Sequence, residues 1–214
     1  MKKLAIFGTS GFAKELLDLA LDQGYTDICF LEKEAGQNQT LLGFPVFLES
    51  EIVGVANIDF TIGIAAPKIR QKIYEFYPHL NFPNLIHSQA TLGFGIREQL
   101  HHSKGVIIAA GARVTNSCSF GDFVVVSFNC TIGHDCKFDS YVSIMPGVNL
   151  SGCIHVGTGV YIGTNAAILP GKGPLELKKL GEHSIIGAGA VVLKNTLVHT
   201  TYVGAPAKEL KRND

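Results

Sequence analysis

A hydrophobic residue recurs every six positions through the second half of the chain. Val114, Phe120, Val126, Ile132, Phe138, Ile144, Leu150, Val156, Ile162 and Ile168 follow one another without a break. In a chain that is 46% hydrophobic, such a run in a given phase arises by chance roughly once in 2,000 trials, so it marks a true repeat. The phase reaches back through Ile108 and, more weakly, to Ile96 and Ala90, with His102 breaking that stretch; it returns at Leu180, Ile186, Val192 and Val198. A second set of small or β-branched residues lies four positions further on: Cys118, Val124, Cys130, Cys136, Val142, Val148, Ile154, Val160 and Ala166. Both sets point inward. Six residues make one short strand and one turn, and three such units close a triangular coil. The repeat is interrupted at Gly171–Lys179, which reads as a loop thrown outward, and near Leu100–Lys104.

Residues 1–85 follow a different pattern. Lys3–Phe7 is a short apolar run ending at Gly8, as in a buried parallel strand. Phe12–Asp22 carries Leu16, Leu17, Leu19 and Ala20 at helical spacing, and Gly24 is placed to close that helix. Ile28–Leu31 and Asp59–Ile64 read as further strands and Lys68–Tyr77 as a helix. This alternation predicts a parallel sheet with right-handed crossovers. The expected architecture is an α/β unit over 1–85 followed by the coil over 86–214.

Composition narrows the function. Eighteen basic and 18 acidic residues cancel, so nothing draws the chain to nucleic acid or anionic lipid. No apolar run approaches the ~20 residues that cross a bilayer. Gly8–Gly11, Lys14 and Glu15 cut the opening apolar run too short for a signal peptide, and the expected location is cytoplasmic. The cysteines Cys29, Cys118, Cys130, Cys136 and Cys153 are odd in number and contain no Cys-x-x-Cys pair, which argues against a disulfide framework. Three of them fall in the second inward set, as small buried hydrophobes rather than zinc ligands.

Two segments carry candidate chemistry. Gly8-Thr9-Ser10-Gly11-Phe12-Ala13 follows a strand and opens a helix, where backbone N–H groups and the positive helix end can hold a diphosphate. The motif is shorter than the full dinucleotide fingerprint, and a tight turn without a ligand remains open. Glu32 and Lys33 end the second strand, where a ribose or base is often read; solvated loop charges are the competing account. In Ile132-Gly133-His134-Asp135-Cys136, His134 lies outside both inward sets and so belongs at the surface. Its imidazole suits proton removal from an amine or hydroxyl near neutral pH. Asp135 can fix its tautomer only if the pair sits at a turn, because strand neighbours face opposite ways.

The hexads resemble those of the hexapeptide-repeat transferases. More closely, the chain resembles the sugar O- and N-acyltransferase family. That family includes the sialic acid O-acetyltransferases and the N-acetyltransferases acting on UDP-linked 4-amino-4,6-dideoxy sugars in bacillosamine synthesis. The likeness rests on Ile6–Gly11, Asn84-Leu85-Ile86-His87, Gly133–Cys136, the hexads, and the closing Val203-Gly204-Ala205-Pro206-Ala207-Lys208. The resemblance implies a Rossmann-like nucleotide-sugar-binding domain over 1–85, and over 86–214 a left-handed parallel β-helix that carries acyl transfer. It implies a homotrimer whose active sites lie between subunits. It also implies acetyl-CoA as co-substrate, no metal, and an N-acetyl transfer that proceeds without an acyl-enzyme. By the same resemblance His134 is the general base, Asp135 tunes it, and the Gly152 N–H in the Ser151-Gly152 turn forms an oxyanion hole. Ser10, Gly11, Phe12, Glu32, Lys33 and Gly63 fall at nucleotide-sugar positions, and Ser143, Thr164 and Ala188 at coenzyme A positions. The chain departs from the pattern at Phe12, Lys33 and Ser143, where relatives often carry histidine, an acid and histidine.

Other readings fit the same residues. The same base could serve a hydroxyl, as in sialic acid O-acetyl transfer. The first half could bind NAD in an oxidoreductase, though no separate catalytic domain follows. A γ-type carbonic anhydrase would need His134, His155 and His183 to converge on a metal. A non-catalytic assembly scaffold would need none of these groups.

Overall fold

The computed structural model describes residues 2–34 and 39–211. It begins with strand β1 (Lys3–Phe7), helix α1 (Gly11–Asp22) and strand β2 (Asp27–Glu32). Next come an antiparallel hairpin of β3 (Thr40–Leu41) and β4 (Phe44–Leu48), the short helix α2 (Glu49–Ile52), β5 (Asp59–Ile62) and α3 (Pro67–Phe76). The sheet order is β3-β4-β2-β1-β5, and every pairing but the hairpin's is parallel. Alternate residues of β1 face opposite sides: Leu4 and Ile6 pack with Leu16, Leu17 and Ala20 of α1, while Ala5 and Phe7 pack with Ile73 and Tyr74 of α3. The hairpin and α2 had no counterpart among the expected elements. The expected Asp59–Ile64 strand ends at Ile62, so that Gly63–Ala65 become a connection.

The coil begins at β6 (Leu85–Ile86), which already pairs with Ile107–Ile108. From there, short parallel strands stack on three faces. The first face runs from Leu85–Ile86 through Ile107–Ile108, Val125–Val126, Ser143–Ile144, Tyr161–Ile162 and Ile185–Ile186 to a closing antiparallel pair, Thr201–Val203 with Lys208–Glu209. The second face starts at Thr91–Leu92 and ends at Val191–Val192; the third comprises Ser119–Phe120, Lys137–Phe138, Ile154–Val156 and Lys178–Leu180. Both inward sets are buried apart from Val198, and Cys118, Cys130 and Cys136 lie among them at 4% exposure or less. All five cysteines are free.

The corners repeat as regularly as the strands. A residue with left-handed backbone stands at 111, 117, 123, 129, 135, 141, 147, 153, 159 and 165, one per corner, filled by Asn, Gly, Ser, Phe, Asp, Tyr or Cys. Gly133 follows an inward residue for a steric reason: a Cβ there would lie 2.6 Å from the Gly152 nitrogen of the next coil.

The structure departs from the periodic reading in two places. Ile96–Leu100 is a short helix whose buried Ile96 and Leu100 plug the open end of the coil. Gln99 caps the third face there, its side chain accepting from the Phe120 N–H (3.1 Å) and donating to the Phe120 carbonyl (3.3 Å). At the other end Val198, expected to point inward, is 57% exposed; the coil has opened by that point and Tyr202 packs on the core instead.

The α/β unit sits on the first face of the coil. Ile107 and Val125 join the α1 cluster, and Phe123 and Tyr141, at the corner between the third and first faces, join the α3 cluster. Arg70 of α3 is 1% exposed and clamps the two parts together. It donates to the Ile64 and Ala65 carbonyls (3.2 and 2.8 Å) on one side and to those of Phe123, Tyr141 and Val142 (3.3, 2.9 and 3.1 Å) on the other. Burial pulls this guanidinium down to about 9, still far enough above neutrality to keep it charged. No helix among the described residues is long and apolar enough to cross a membrane.

Candidate active site

His134 and Asp135 occupy the corner between the second and third faces. Asp135 is the left-handed residue of that corner (φ 56°), which folds its carboxylate back beside its neighbour. His134 Nδ1 and Asp135 Oδ2 are 2.7 Å apart. The turn that the pairing required is therefore present. With Asp135 ionised, this contact fixes the tautomer protonated on Nδ1 and leaves Nε2 with a free lone pair. The imidazole is 61% exposed, and Nε2 has no partner among the described residues.

The next coil forms the floor of the site. The His134 ring lies directly over Gly152, close enough that a Cβ there would be 2.7 Å from Nε2. The Gly152 carbonyl accepts from the Gly171 N–H (3.1 Å), whereas its own N–H has no acceptor among the described residues. The Cys153 N–H donates to the His134 carbonyl (2.8 Å), which holds the corner in place. The ligand atoms of His134, Asp135 and Cys153 lie within 4.8 Å of one another. Cys153 was not singled out from the sequence because it belongs to neither inward set; its corner position, six residues after Gly147, was the available signal.

The three histidines weighed for a metal site do not converge. His155 stands on the third face and pairs with Asp139 (2.9 Å). His183 stacks on His199 near the end of the coil, ring centres 5.0 Å apart.

The nucleotide-site candidates gather at the carboxyl edge of the parallel sheet. Strand β1 lies between β2 and β5, so the chain reverses direction across the sheet at β1, and ligands of open α/β sheets bind in the crevice that this creates. Ser10 caps α1 without a side-chain hydrogen bond, its hydroxyl without a partner among the described residues, and Gly11 opens the helix into empty space. Glu32 accepts from the Thr9 hydroxyl (2.7 Å). Gly63 lets α1 approach β5, since a Cβ there would lie 2.6 Å from Ala13. Phe12 turns the other way, toward Ile107 and Phe128 of the coil. Lys33 lines a cavity of about 510 Å³ with Glu49, Ile69, Lys72 and Phe76, between α2 and α3.

The three expected coenzyme positions separate. Thr164 and Ala188 are exposed and stack at one corner, between the first and second faces, where the Gly189 N–H donates to the Thr164 carbonyl (2.8 Å). Ser143 does not join them. It is fully buried beneath the α/β unit, and its hydroxyl donates to the Ala65 carbonyl (2.7 Å). In this chain Ser143 is a contact between the two parts, and no coenzyme can reach it.

Comparison with known proteins fits this geometry. Residues 3–77 match the model of the PglD N-terminal domain. The acetyltransferase domain of PglB from Neisseria gonorrhoeae FA1090 superposes with a TM-score of 0.85 at 30% identity, over 98% of this chain and 100% of that one. That domain is also known in complex with acetyl coenzyme A. WeeI from Acinetobacter baumannii AYE gives a TM-score of 0.86 at 25% identity, over 98% of this chain and all of its own. In sequence, the GDP-perosamine N-acetyltransferase of Escherichia coli O157:H7 is 26% identical over 241 residues, covering 100% of this chain and 98% of the relative. The chain thus belongs to the hexapeptide-repeat sugar N-acetyltransferases, enzymes that depend on acetyl-CoA.

Proposed function

We propose that the protein transfers an acetyl group from acetyl-CoA to the 4-amino group of a nucleotide-linked amino-dideoxy sugar, with His134 as the base. The observation that carries this reading is the oriented imidazole: Nδ1 held by Asp135 at 2.7 Å, with neither Nε2 nor the Gly152 N–H beneath it paired among the described residues. The sugar amine attacks the thioester carbonyl and forms a C–N bond while the carbonyl oxygen becomes an oxyanion that accepts from Gly152 N–H. Nε2 takes the proton released by the amine, and Asp135 stabilises the resulting imidazolium. Collapse of the tetrahedral intermediate breaks the C–S bond. Coenzyme A leaves as a thiolate and recovers the proton from His134.

The nucleotide sugar is assigned to Ser10, Gly11, Glu32, Lys33 and Gly63 at the sheet edge, with Phe12 serving the contact to the coil. UDP is the first choice of nucleotide. GDP is the second, favoured by the whole-length relative named for GDP-perosamine. Thr164 and Ala188 of a neighbouring copy are assigned to acetyl-CoA, since within one chain they stand at a different corner from His134 and Gly152. The nucleotide domain is taken as Rossmann-like over residues 1–85 and the coil over 86–214 as left-handed. The superposition at TM-score 0.85 supports that hand, since a coil of opposite hand does not overlay.

The assembly is taken as a homotrimer. In a three-faced coil, the corner between the second and third faces lies opposite the first face. His134 stands at that corner, and the α/β unit sits on the first face. One chain therefore holds its base and its nucleotide crevice on opposite sides of the coil, and a neighbouring copy must bring them together. A cytoplasmic location accords with the five free cysteines.

Thiol release from acetyl-CoA tests the reading. The acceptor panel is UDP-, dTDP- and GDP-linked 4-amino sugars with free sialic acid beside them, for wild type and His134→Ala. Turnover on an amino sugar, reduced ~10²- to 10⁴-fold in the variant, is the expected result. Turnover on sialic acid alone replaces the reading with O-acetyl transfer, and a variant equal to wild type removes His134 as the base.

A further inference from the structure

The loop that interrupts the repeat leaves the coil at the same corner as His134. That corner passes from His134 to Gly152, then to the loop at Gly171–Leu177, then to Leu193–Asn195. The loop is tied directly to the floor of the site: Gly171 N–H donates to the Gly152 carbonyl (3.1 Å) and Lys178 N–H to the Cys153 carbonyl (2.9 Å). Between the loop and the following corner lies a cavity of about 600 Å³, whose lining includes Lys172, Lys178, Lys179 and Lys194, with Glu176 as the sole acid among the described residues. Lys172 pairs with Glu176 (2.6 Å), so three lysines remain without a carboxylate partner among the described residues.

Lys178 is the decisive residue. It pairs in register with Ile154 and so stands at the inner corner that Cys118, Cys136 and Ile154 fill in the preceding coils. An apolar side chain would satisfy packing there. The lysine is instead 8% exposed, with one of its three donors used, on the Leu193 carbonyl (2.9 Å). Burying a cation without a counter-charge is costly, and the cavity beside it would bring one if an anion entered. Strand spacing places this pocket two to three coils from the base, about 10–14 Å along the corner.

We propose that this pocket binds the phosphate groups of a substrate whose reacting end lies at His134. The closest source is the 3′-phosphate and diphosphate of acetyl-CoA, with its thioester over Gly152. The other source is the diphosphate of a nucleotide sugar held by an adjacent copy. The inference rests on the acetyl-CoA-dependent reading above and adds to it where the coenzyme's charged end is held.

Titration calorimetry separates the outcomes without requiring turnover. The probes are coenzyme A, dephospho-coenzyme A (which lacks the 3′-phosphate), adenosine 3′,5′-bisphosphate, UDP and GDP. The proteins are wild type, Lys179→Ala/Lys194→Ala and Lys178→Met. We expect coenzyme A and the bisphosphate to bind both variants ~10-fold or more weakly, as for lost charge-assisted hydrogen bonds. Dephospho-coenzyme A should lose less, and Lys178→Met should melt no lower than wild type. A loss confined to UDP or GDP keeps the phosphate site and assigns it to the nucleotide sugar. Affinities within twofold of wild type for every probe, or a Lys178→Met protein that melts lower yet binds unchanged, would overturn the proposal. A wild type that binds coenzyme A through these lysines but acetylates no amino sugar would refute the proposed function alone.

Discussion

A methyl group added at Gly152 would meet first the ring of His134, at 2.7 Å, whereas one added at Gly133 would meet the backbone of the next coil at 2.6 Å. The two glycines stand at stacked corners, yet their substitutions should behave differently. In Gly152→Ala the exposed imidazole can swing aside, so the fold survives while the base leaves its position. The expectation is a Tm close to wild type and a kcat reduced ~10²-fold by misplacement. Gly133→Ala forces the coils apart and should cost ~2 kcal/mol or more, measured by thermal melting. At this scale the sequence was informative where a residue broke a pattern. His134 was legible because it escaped both inward sets, and Asp135 beside it because a turn alone could join the pair. Ser143 was not legible. It has the same phase as the half-exposed Tyr161, and what buries one but not the other is the docking of the α/β unit, which leaves no periodic signal.

Between elements, the end of α1 is tied to the start of the coil by one carboxylate. Asp22 accepts from the Ser88 backbone N–H (2.7 Å) and from its hydroxyl, with His87 Nε2 at 3.8 Å. The Ser88 hydrogen bonds, the side-chain one first, hold Asp22 below the ordinary carboxylate range. A folded-state pKa below the unfolded value of ~3.9 means that the clamp stabilises fully above that value and is lost as pH falls through the folded one. Wild type should therefore lose more Tm than Asp22→Asn between pH 6 and pH 3, while the variant starts lower at pH 6; equal acid-side slopes would show that the clamp contributes nothing. The long elements were legible because α1 and the hexads each present a full apolar face. The Ile96–Leu100 helix was not, since Ile96 also satisfies the six-residue phase and its burial is the same either way. The β3–β4 hairpin was not either, because Phe44–Leu48 alternates in burial while every residue in it is apolar, so the sequence carries no alternation to read.

For the whole molecule, the placement of His134 and the proposed nucleotide crevice on opposite sides of the coil has a direct test. His134→Ala removes the proposed base and leaves the proposed crevice; Gly11→Glu, at an open position, sets a carboxylate in the proposed diphosphate site and leaves His134. Each variant alone should be inactive. Subunits unfolded together and refolded as a mixture should recover a substantial part of the activity, because some interfaces then pair an intact crevice with an intact base. A mixture as inactive as its components would place the complete site within one chain.

The stacked corners also make distance a counted quantity. Each coil advances the chain by one strand spacing, ~4.8 Å, while returning every corner to the same orientation. The gap between the base and the lysine-lined loop can therefore change only in whole steps of that size, by gaining or losing an 18-residue coil such as that from Val114 to Ile132. A shift of six residues would instead carry the loop to the next corner of the same coil. Over evolution or by design, the reach of this site toward longer or shorter ligands is set like a notched rule, with no settings between the notches.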